Sequence, residues 1–220
     1  MKVFVSWSGG KDCSLALHKF KTNNPDAQIV TLLNMNRATT QNAHRLTGDL
    51  LQAQADAMGV RLTRETIEEG NEYTFHFQRA INKLKEEDGV EYGVFGDIFL
   101  QTHLDWITAQ CKELGITPIF PLLNIDVHDL YRDFIDAGFV AKVVSVKNDH
   151  KYASLLSDYL TMETYKNMLE HHGFDVCGEN GEYHSFVVDG PNFSHRVQYS
   201  VVGEYKDEKL HALELDIARE

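Results

Sequence analysis

Between residues 3 and 120, short apolar runs alternate with amphipathic helical stripes, and this alternation restricts the fold more than any other feature of the chain. Val3-Phe4-Val5 is the first run. Cys13, Ala16, Leu17 and Phe20 follow at the spacing of one helix face. Ile29 to Leu33 is a strand candidate, and Leu46, Leu50, Ala53 and Ala57 stripe a second helix that Gly59 closes. Arg61 to Ile67 alternates weakly, as a strand does. Tyr73, Phe77, Ala80, Ile81 and Leu84 share a third helical face that ends at Gly89. Tyr92 to Phe95 is the next strand, followed by Gly96-Asp97. Leu104, Ile107, Cys111 and Leu114 mark a fourth helix, ended by Gly115, and Thr117 to Phe120 a last short strand. Strands separated by helices of this length predict an α/β fold, with a parallel twisted sheet covered by helices on both faces. Such sheets bind ligands beyond the carboxyl ends of their strands. Loops 8–12 and 96–97 both lie at such ends, on one rim.

The texture changes near Asn124. Asp126 to Ala137 reads as a helix with Asp126 as its N-cap, Phe139 to Val146 as a β-branched strand, and Met162 to His171 as a helix stopped by Gly173. Val197, Tyr199 and Val201 alternate with polar residues, Lys206 to Lys209 turns, and Leu213, Leu215 and Ile217 alternate again, as in a hairpin. The expected organisation is therefore residues 1–124 as the parallel α/β domain and 125–220 as a smaller C-terminal α+β domain.

Charge narrows the partners. The chain carries 33 acidic and 21 basic residues, a net −12. Nucleic-acid binding rests on Lys and Arg displacing counterions from phosphate, so no nucleic-acid partner is expected. No apolar run can span a bilayer, and the first strand is too short for a signal peptide, so no membrane partner is expected either. Three scattered cysteines, without a CxxC, fit a reducing cytoplasm better than a disulfide framework or structural zinc. A homo-oligomer is compatible with the sequence.

Ser8-Gly9-Gly10-Lys11-Asp12 carries the most chemistry. It joins a strand to a helix, whose first N–H groups lack intrahelical partners and bear partial positive charge. Glycines let the backbone approach an anion, Ser8 adds a hydroxyl and Lys11 a point charge. A Gly-Gly pair alone is more often just a tight βα turn; here strand, Ser, Lys and helix agree on an anion cradle. The spacing matches neither a Walker A loop nor the G-x-G-x-x-G dinucleotide fingerprint.

The second signal is Cys177-Gly178-Glu179-Asn180-Gly181-Glu182-Tyr183-His184-Ser185-Phe186-Val187-Val188-Asp189-Gly190-Pro191-Asn192-Phe193. On its local pattern it is a glycine-rich loop with two acids, leading into a strand. On that pattern Glu179 and Glu182 read first as solvated acids; they could also hold Mg²⁺, accept protons from an amine or orient a cation.

Together these segments resemble a known family. Ser8-Gly9-Gly10-Lys11-Asp12 is similar to the SGGxD signature of the N-type ATP pyrophosphatases, the PP-loop or adenine-nucleotide alpha-hydrolase (HUP) superfamily. The 178–193 segment resembles the GE-x-GEY motif of the diphthine–ammonia ligases within it. His44 with Gln54 to Val60, Val94-Phe95-Gly96-Asp97-Ile98, and Gly115-Ile116 through Leu123 resemble further family stretches. Cys13-Ser14 stands where the family often continues with Ser, and Phe99 to Trp106 lacks the family's usual arginines, which resembles its bacterial branch.

The resemblance implies an ATP-dependent amide ligase with an acyl-adenylate intermediate. ATP is split to AMP and pyrophosphate, and ammonia displaces AMP. The implied ligands are ATP, Mg²⁺, ammonia or ammonium, and a carboxylate acceptor: diphthine, a modified histidine on an elongation factor, or a small metabolite. The implied phosphate contacts are Ser8, Gly9, Gly10, Lys11, Asp12 and Cys13, with Asp12 also on Mg²⁺. Leu33 and Asn34 would frame adenine, and Gly96 and Asp97 would border ribose or the α-phosphate. Lys11, Asp12, Glu179 and Glu182 are the catalytic candidates, the two glutamates on the acceptor side. The competing readings are a related PP-loop ligase on a metabolite, a tRNA-modifying relative, and a nucleotide sensor without turnover.

Other residues read more simply. Adjacent His171 and His172 point to different helix faces and form no ligand pair. His184 and His195 flank the acidic motif. Cys13 begins a helix, a position that favours thiolate, yet it also suits a small packed residue. Trp7 reads as packing, Trp106 as either core or acceptor pocket, and Tyr73 and Phe77 as core.

Overall fold

A computed structural model describes residues 1–37, 44–68, 70, 72–170 and 173–218. The chain divides into two compact units. The first comprises residues 1–8, 12–41 and 59–124, and the second 9–11, 42–58 and 125–220.

The first unit is built on five strands: β1 (Lys2–Ser6), β2 (Gln28–Arg37), β3 (Leu62–Ile67), β4 (Tyr92–Val94) and β5 (Thr117–Ile119). They pair in parallel in the order β3-β2-β1-β4-β5. The alternation of runs and stripes is therefore a set of βαβ crossovers, as expected. Because such crossovers are right-handed, the α1 connection (Lys11–Asn23), leading toward β2, takes one face. The α3 (Tyr73–Asp88) and α4 (Gln101–Leu114) connections, running the other way, take the opposite face. Coverage on both faces explains why Val3, Phe4 and Val5 are all fully buried, although adjacent strand residues point to opposite sides. On the α3/α4 face, Phe4, Leu33 and Phe95 pack against Phe77, Ile81, Leu84, Ile107, Cys111 and Leu114. Gly89 and Gly115 end α3 and α4 in the left-handed conformation, where their N–H groups cap the last helical carbonyls. The strand order reverses between β1 and β4, which makes the carboxyl ends of those two strands the switch point.

The second unit has an antiparallel sheet in the order β7-β6-β9-β8. Its strands are β6 (Val140–Lys147), β7 (Tyr183–Asp189), β8 (Tyr199–Lys206) and β9 (Leu210–Ile217). β8 and β9 are the expected hairpin. β6 is buried over Ala141–Val146, and β8 is the half-exposed edge. α5 (Val127–Asp136) starts as read: the Asp126 carboxylate accepts from the N–H groups of His128, at 2.9 Å, and Asp129, at 3.4 Å. α6 (Met162–Leu169) is capped by Thr161. The expected His171 and His172 lie outside the described residues. α2 (Gly48–Met58) departs from its stripe: Ala53 is only half-buried, whereas Gln54 is fully buried with Leu50, Leu51, Ala55 and Ala57.

Candidate active site

In the second unit, the tip of the glycine loop is bonded to β7. Val187 N–H donates to the Gly9 carbonyl at 3.0 Å, and Lys11 N–H donates to Ser185 Oγ at 3.1 Å. The buried Gln54 amide lies across both strands of this junction, donating to Gly9 O at 3.0 Å and Val187 O at 2.6 Å. Gly9 has φ +84°, and a Cβ there would come within 2.7 Å of Leu46 and Leu51, so only glycine turns the chain at this point.

The anchored backbone leaves the Lys11 side chain only 6% exposed, with its ammonium 5.4 Å from the centre of the Tyr183 ring. Asp175 and Glu182 lie close enough for charges to act on one another. Burial pushes the Asp175 carboxyl up, Glu182 adds to the rise, and Lys11 opposes it. Glu182 is 2% exposed and accepts from Asn180 N–H at 3.0 Å and Asn180 Nδ2 at 3.2 Å. It is thus a built-in acid rather than a solvated one; Glu179 is half-buried.

His44 Nδ1 lies 2.9 Å from Ser185 O, and its ring is 4.8 Å from that of His184. Burial, followed by the charges of His44 and Lys11, pulls His184 down to about 3. His184 is therefore a neutral imidazole at ordinary pH. His195 engages Ser194 Oγ instead, at 3.0 Å.

In the first unit, Ser8 Oγ sits 3.5 Å from Cys13 Sγ, and the Cys13 thiol is buried. Gly96 lies directly against the start of α1: a Cβ there would be 2.9 Å from Asp12 C and Cys13 N, both backbone atoms. Leu33 and Asn34 are buried within β2, which runs on three residues further to Arg37. The Leu33 carbonyl accepts from Trp7 N–H at 2.8 Å, and Asn34 Nδ2 donates to Trp7 O at 2.8 Å. Among the described residues, Asn34 Oδ1 is a buried acceptor without a partner. Such an orphan is costly unless a ligand satisfies it, and it suits an amino group such as that of adenine.

The switch point opens into a cavity of about 340 Å³ lined by Ser6, Tyr73, Phe77, Phe95, Asp97, His103, Trp106 and Ile107. Trp106 thus packs on the core and lines a pocket at once. Asp97 lies 3.4 Å from His103 Nδ1. Burial pushes its carboxyl up, His103 opposes that shift, and Asp12 adds to it. The Tyr73 phenol is likewise pushed up, by burial and then by Asp97, with Arg37 opposing. Asp12 thus lies near enough for its charge to act on Asp97, and such a placement suits Mg²⁺, an ion commonly held by one or two carboxylates plus substrate phosphates. Among the described residues no group of three or more His, Cys, Asp or Glu could hold a metal by itself, and no helix is long and apolar enough to cross a membrane.

Each unit thus collects part of the sequence-derived set. Gly9, Gly10, Lys11, Glu179 and Glu182 belong to the second; Ser8, Asp12, Cys13, Leu33, Asn34, Gly96 and Asp97 to the first. Gln54 and Ser185 fall within the family-like stretches without an assigned role, and Asp175 lies outside them. For Gln54 the signal was available: an amide among Leu50, Leu51, Ala55 and Ala57 is an anomaly in a buried helical stripe.

A parallel sheet in this order, with Ser8-Gly9-Gly10-Lys11-Asp12 between its first strand and helix, defines an α/β protein of the PP-loop, adenine-nucleotide alpha-hydrolase class. The chain belongs to the diphthamide synthase family: the family's N-terminal domain matches residues 1–118 and its C-terminal domain residues 126–217. Diphthine–ammonia ligase of Danio rerio is 27% identical over 224 residues, covering 90% of this chain and 86% of that protein. The Homo sapiens diphthine–ammonia ligase is 26% identical over 233 residues, covering 90% and 82%. A solved structure described as a predicted subunit of tRNA methyltransferase, from Methanocaldococcus jannaschii, aligns with 87% of this chain and 98% of its own at a TM-score of 0.49 and 17% identity.

Proposed function

We propose that this chain is an ATP-dependent carbon–nitrogen ligase of the diphthine–ammonia ligase type, in which residues 1–124 bind ATP and 125–220 the acceptor. The observation that carries the reading is the Lys11 junction. Hydrogen bonds from Lys11 and Val187 place the phosphate-loop lysine beside Tyr183, Asp175 and Glu182, all in or near the C-terminal motif.

In this reading Ser8, Gly9, Gly10, Lys11, Asp12 and Cys13 receive the phosphates. The 13-residue helix α1 contributes its positive end, and Mg²⁺, when bound, offsets phosphate charge with Asp12 as its protein ligand. Leu33 and Asn34 frame adenine, and the orphaned Asn34 Oδ1 accepts from its amino group. Gly96 and Asp97 border ribose or the α-phosphate. An acceptor carboxylate oxygen attacks the α-phosphorus, and the bond to pyrophosphate breaks. Ammonia then attacks the activated carbonyl carbon, AMP leaves, and the nitrogen loses a proton. Lys11 stabilises the charge that grows on the departing pyrophosphate. Glu179 and Glu182 hold ammonium or the acceptor's cationic group, and a desolvated carboxylate such as Asp175 takes a proton more readily than a solvated one. Diphthine and a small carboxylate metabolite are the candidate acceptors. The protein acts in the cytoplasm.

The test is an incubation with ATP, Mg²⁺, ammonia and candidate carboxylates. AMP and pyrophosphate are expected only when the acceptor is present. ADP as product would overturn the mechanism. Tight nucleotide binding with no AMP from any acceptor would support the sensor instead.

A further inference from the structure

One part of the second unit, outside the phosphate loop and the acidic motif, gathers positive charge. β9 pairs with β6 over Ser145–Lys147. Further along β6, residues 157–160 run beside it. Ser157 N–H donates to Val143 O at 3.0 Å, Val143 N–H to Asp158 O at 2.8 Å and Leu160 N–H to Ala141 O at 2.9 Å. Tyr159 is thereby set opposite Lys142. Lys142 is 9% exposed; its ammonium donates to Ser157 O at 2.6 Å and stands 4.7 Å from the centre of the Tyr159 ring. Arg196 Nη2 donates to Tyr159 Oη at 3.2 Å, and Tyr199 Oη lies 3.0 Å from the same atom.

Two cations thus converge on one phenol in a chain of net −12, and among the described residues neither has a carboxylate partner. A buried ammonium such as that of Lys142 is costly unless an opposite charge lies beside it, and the Tyr159 phenolate supplies one. The Tyr199 hydrogen bond draws the Tyr159 phenol down against burial, with the charges of Lys142 and Arg196 adding to the fall. Tyr199 is pushed up, by burial and then by Tyr159, so it keeps its proton as the donor.

An ionised phenol is a nucleophile, and Tyr159 is partly exposed, so a reagent reaches it. Charge selects the reagent. An acyl group would erase the negative charge and leave both cations unopposed. A phosphoryl group raises that charge to about −2 and offers both cations charge-assisted hydrogen bonds.

We propose that Tyr159 is a nucleophilic residue that accepts activated phosphoryl groups, its side-chain oxygen held by Lys142, Arg196 and Tyr199. The donor is a phosphorus centre bearing a leaving group, as in an acyl phosphate. The phenolate oxygen attacks phosphorus, the bond to the leaving group breaks, and that group departs with the electron pair; the phenolic proton has already gone to solvent. The site needs neither ATP nor a carboxylate acceptor, so it stands apart from the ligase reading.

The experiment follows every tyrosine of the full chain by peptide mass spectrometry. A fluorophosphonate, whose leaving group is fluoride, is expected to label Tyr159 about ten-fold faster, or more, than any other tyrosine. The rate should level off with pH below the ordinary tyrosine value of about 10. In Arg196→Met and Tyr199→Phe it should level off later and fall about ten-fold near neutral pH. Arg196 is exposed, so its variant leaves the core intact. Acetyl phosphate offers phosphorus and an acyl carbon in one molecule, and a phosphate on Tyr159 is expected. Unselective labelling, variants with the parent's rate and pH profile, or acetyl phosphate leaving an acetyl group or no adduct on Tyr159 would each overturn the site.

Discussion

Two places in the molecule, one in each unit, handle polar groups in opposite ways. In the second unit, the Gly9–Lys11 tip, β7 and Gln54 form a junction in which the Gly9 and Val187 carbonyls, the Lys11 N–H and the Ser185 hydroxyl are all paired inside the protein. In the first unit, the Asp97 carboxylate faces an aromatic cavity, and Asn34 Oδ1 has no partner among the described residues. A saturated network holds a backbone in one conformation. An unsatisfied acceptor or a desolvated acid is costly in the empty protein and is relieved by a ligand. On the proposed function, the comparison separates residues that build the site from residues that wait for a substrate, and single substitutions should fall into one class or the other.

The sharpest break in that comparison is Lys11→Met, which keeps the stem and removes the charge. AMP formation should fall by about 100-fold or more, equivalent to about 2.7 kcal/mol of transition-state stabilisation. The far-ultraviolet spectrum should not change; a variant of unaltered rate would take Lys11 out of the chemistry. Gly96→Ala attacks the first unit through backbone alone. With Asp12 C and Cys13 N 2.9 Å from the added carbon, a loss of about 1–3 kcal/mol is expected. Urea unfolding measures it, and nucleotide affinity should drop in parallel because the start of α1 must shift.

Gln54→Ala tests the saturated junction. It removes both amide hydrogen bonds, for about 2 kcal/mol of stability. A midpoint equal to that of the parent chain would mean that Gln54 only fills space. The last test concerns pH. His184 is held near 3 in the folded chain, against about 6.5 when unfolded. Below about 6.5 the unfolded chain takes up a proton that the folded chain refuses, so stability declines from there down to about 3, with a slope of at most about 1.4 kcal/mol per pH unit. At pH 5 the penalty is about 2 kcal/mol at most. His184→Gln should flatten the acid limb of the stability profile relative to the parent. The raised Asp175 acts in the opposite sense in both proteins and cancels from the difference.

Much of the fold is legible in the residue order because its causes are local. The stripes Cys13, Ala16, Leu17, Phe20 and Leu104, Ile107, Cys111, Leu114 are each buried on one helix face, and Gly89 and Gly115 end their helices where a left-handed residue is needed. The hairpin of β8 and β9 follows from alternation and a polar turn. The α2 stripe was misjudged at Ala53 because periodicity ranks residues by hydrophobicity, and it cannot see that Gln54 finds two buried carbonyls. Tyr73 and Phe77 read as core for the same reason. A ring that packs and a ring that lines a cavity share the same spacing, and only the space beside Trp106 distinguishes them.

The residue order marks two candidate centres, because each is a short contiguous run: Ser8 to Asp12 at a strand–helix turn, and Gly178 to Phe193 around its paired acids. It also determined the parallel sheet, through the period of its apolar residues. Only the tertiary structure decided that Lys11 meets Ser185 across 174 residues of chain, that Gln54 bonds Val187 across 133, and that His44 rather than His195 lies against His184. Such pairings depend on which strand is neighbour to which loop. That order is set by the closing of the whole core, and no local window of sequence contains it.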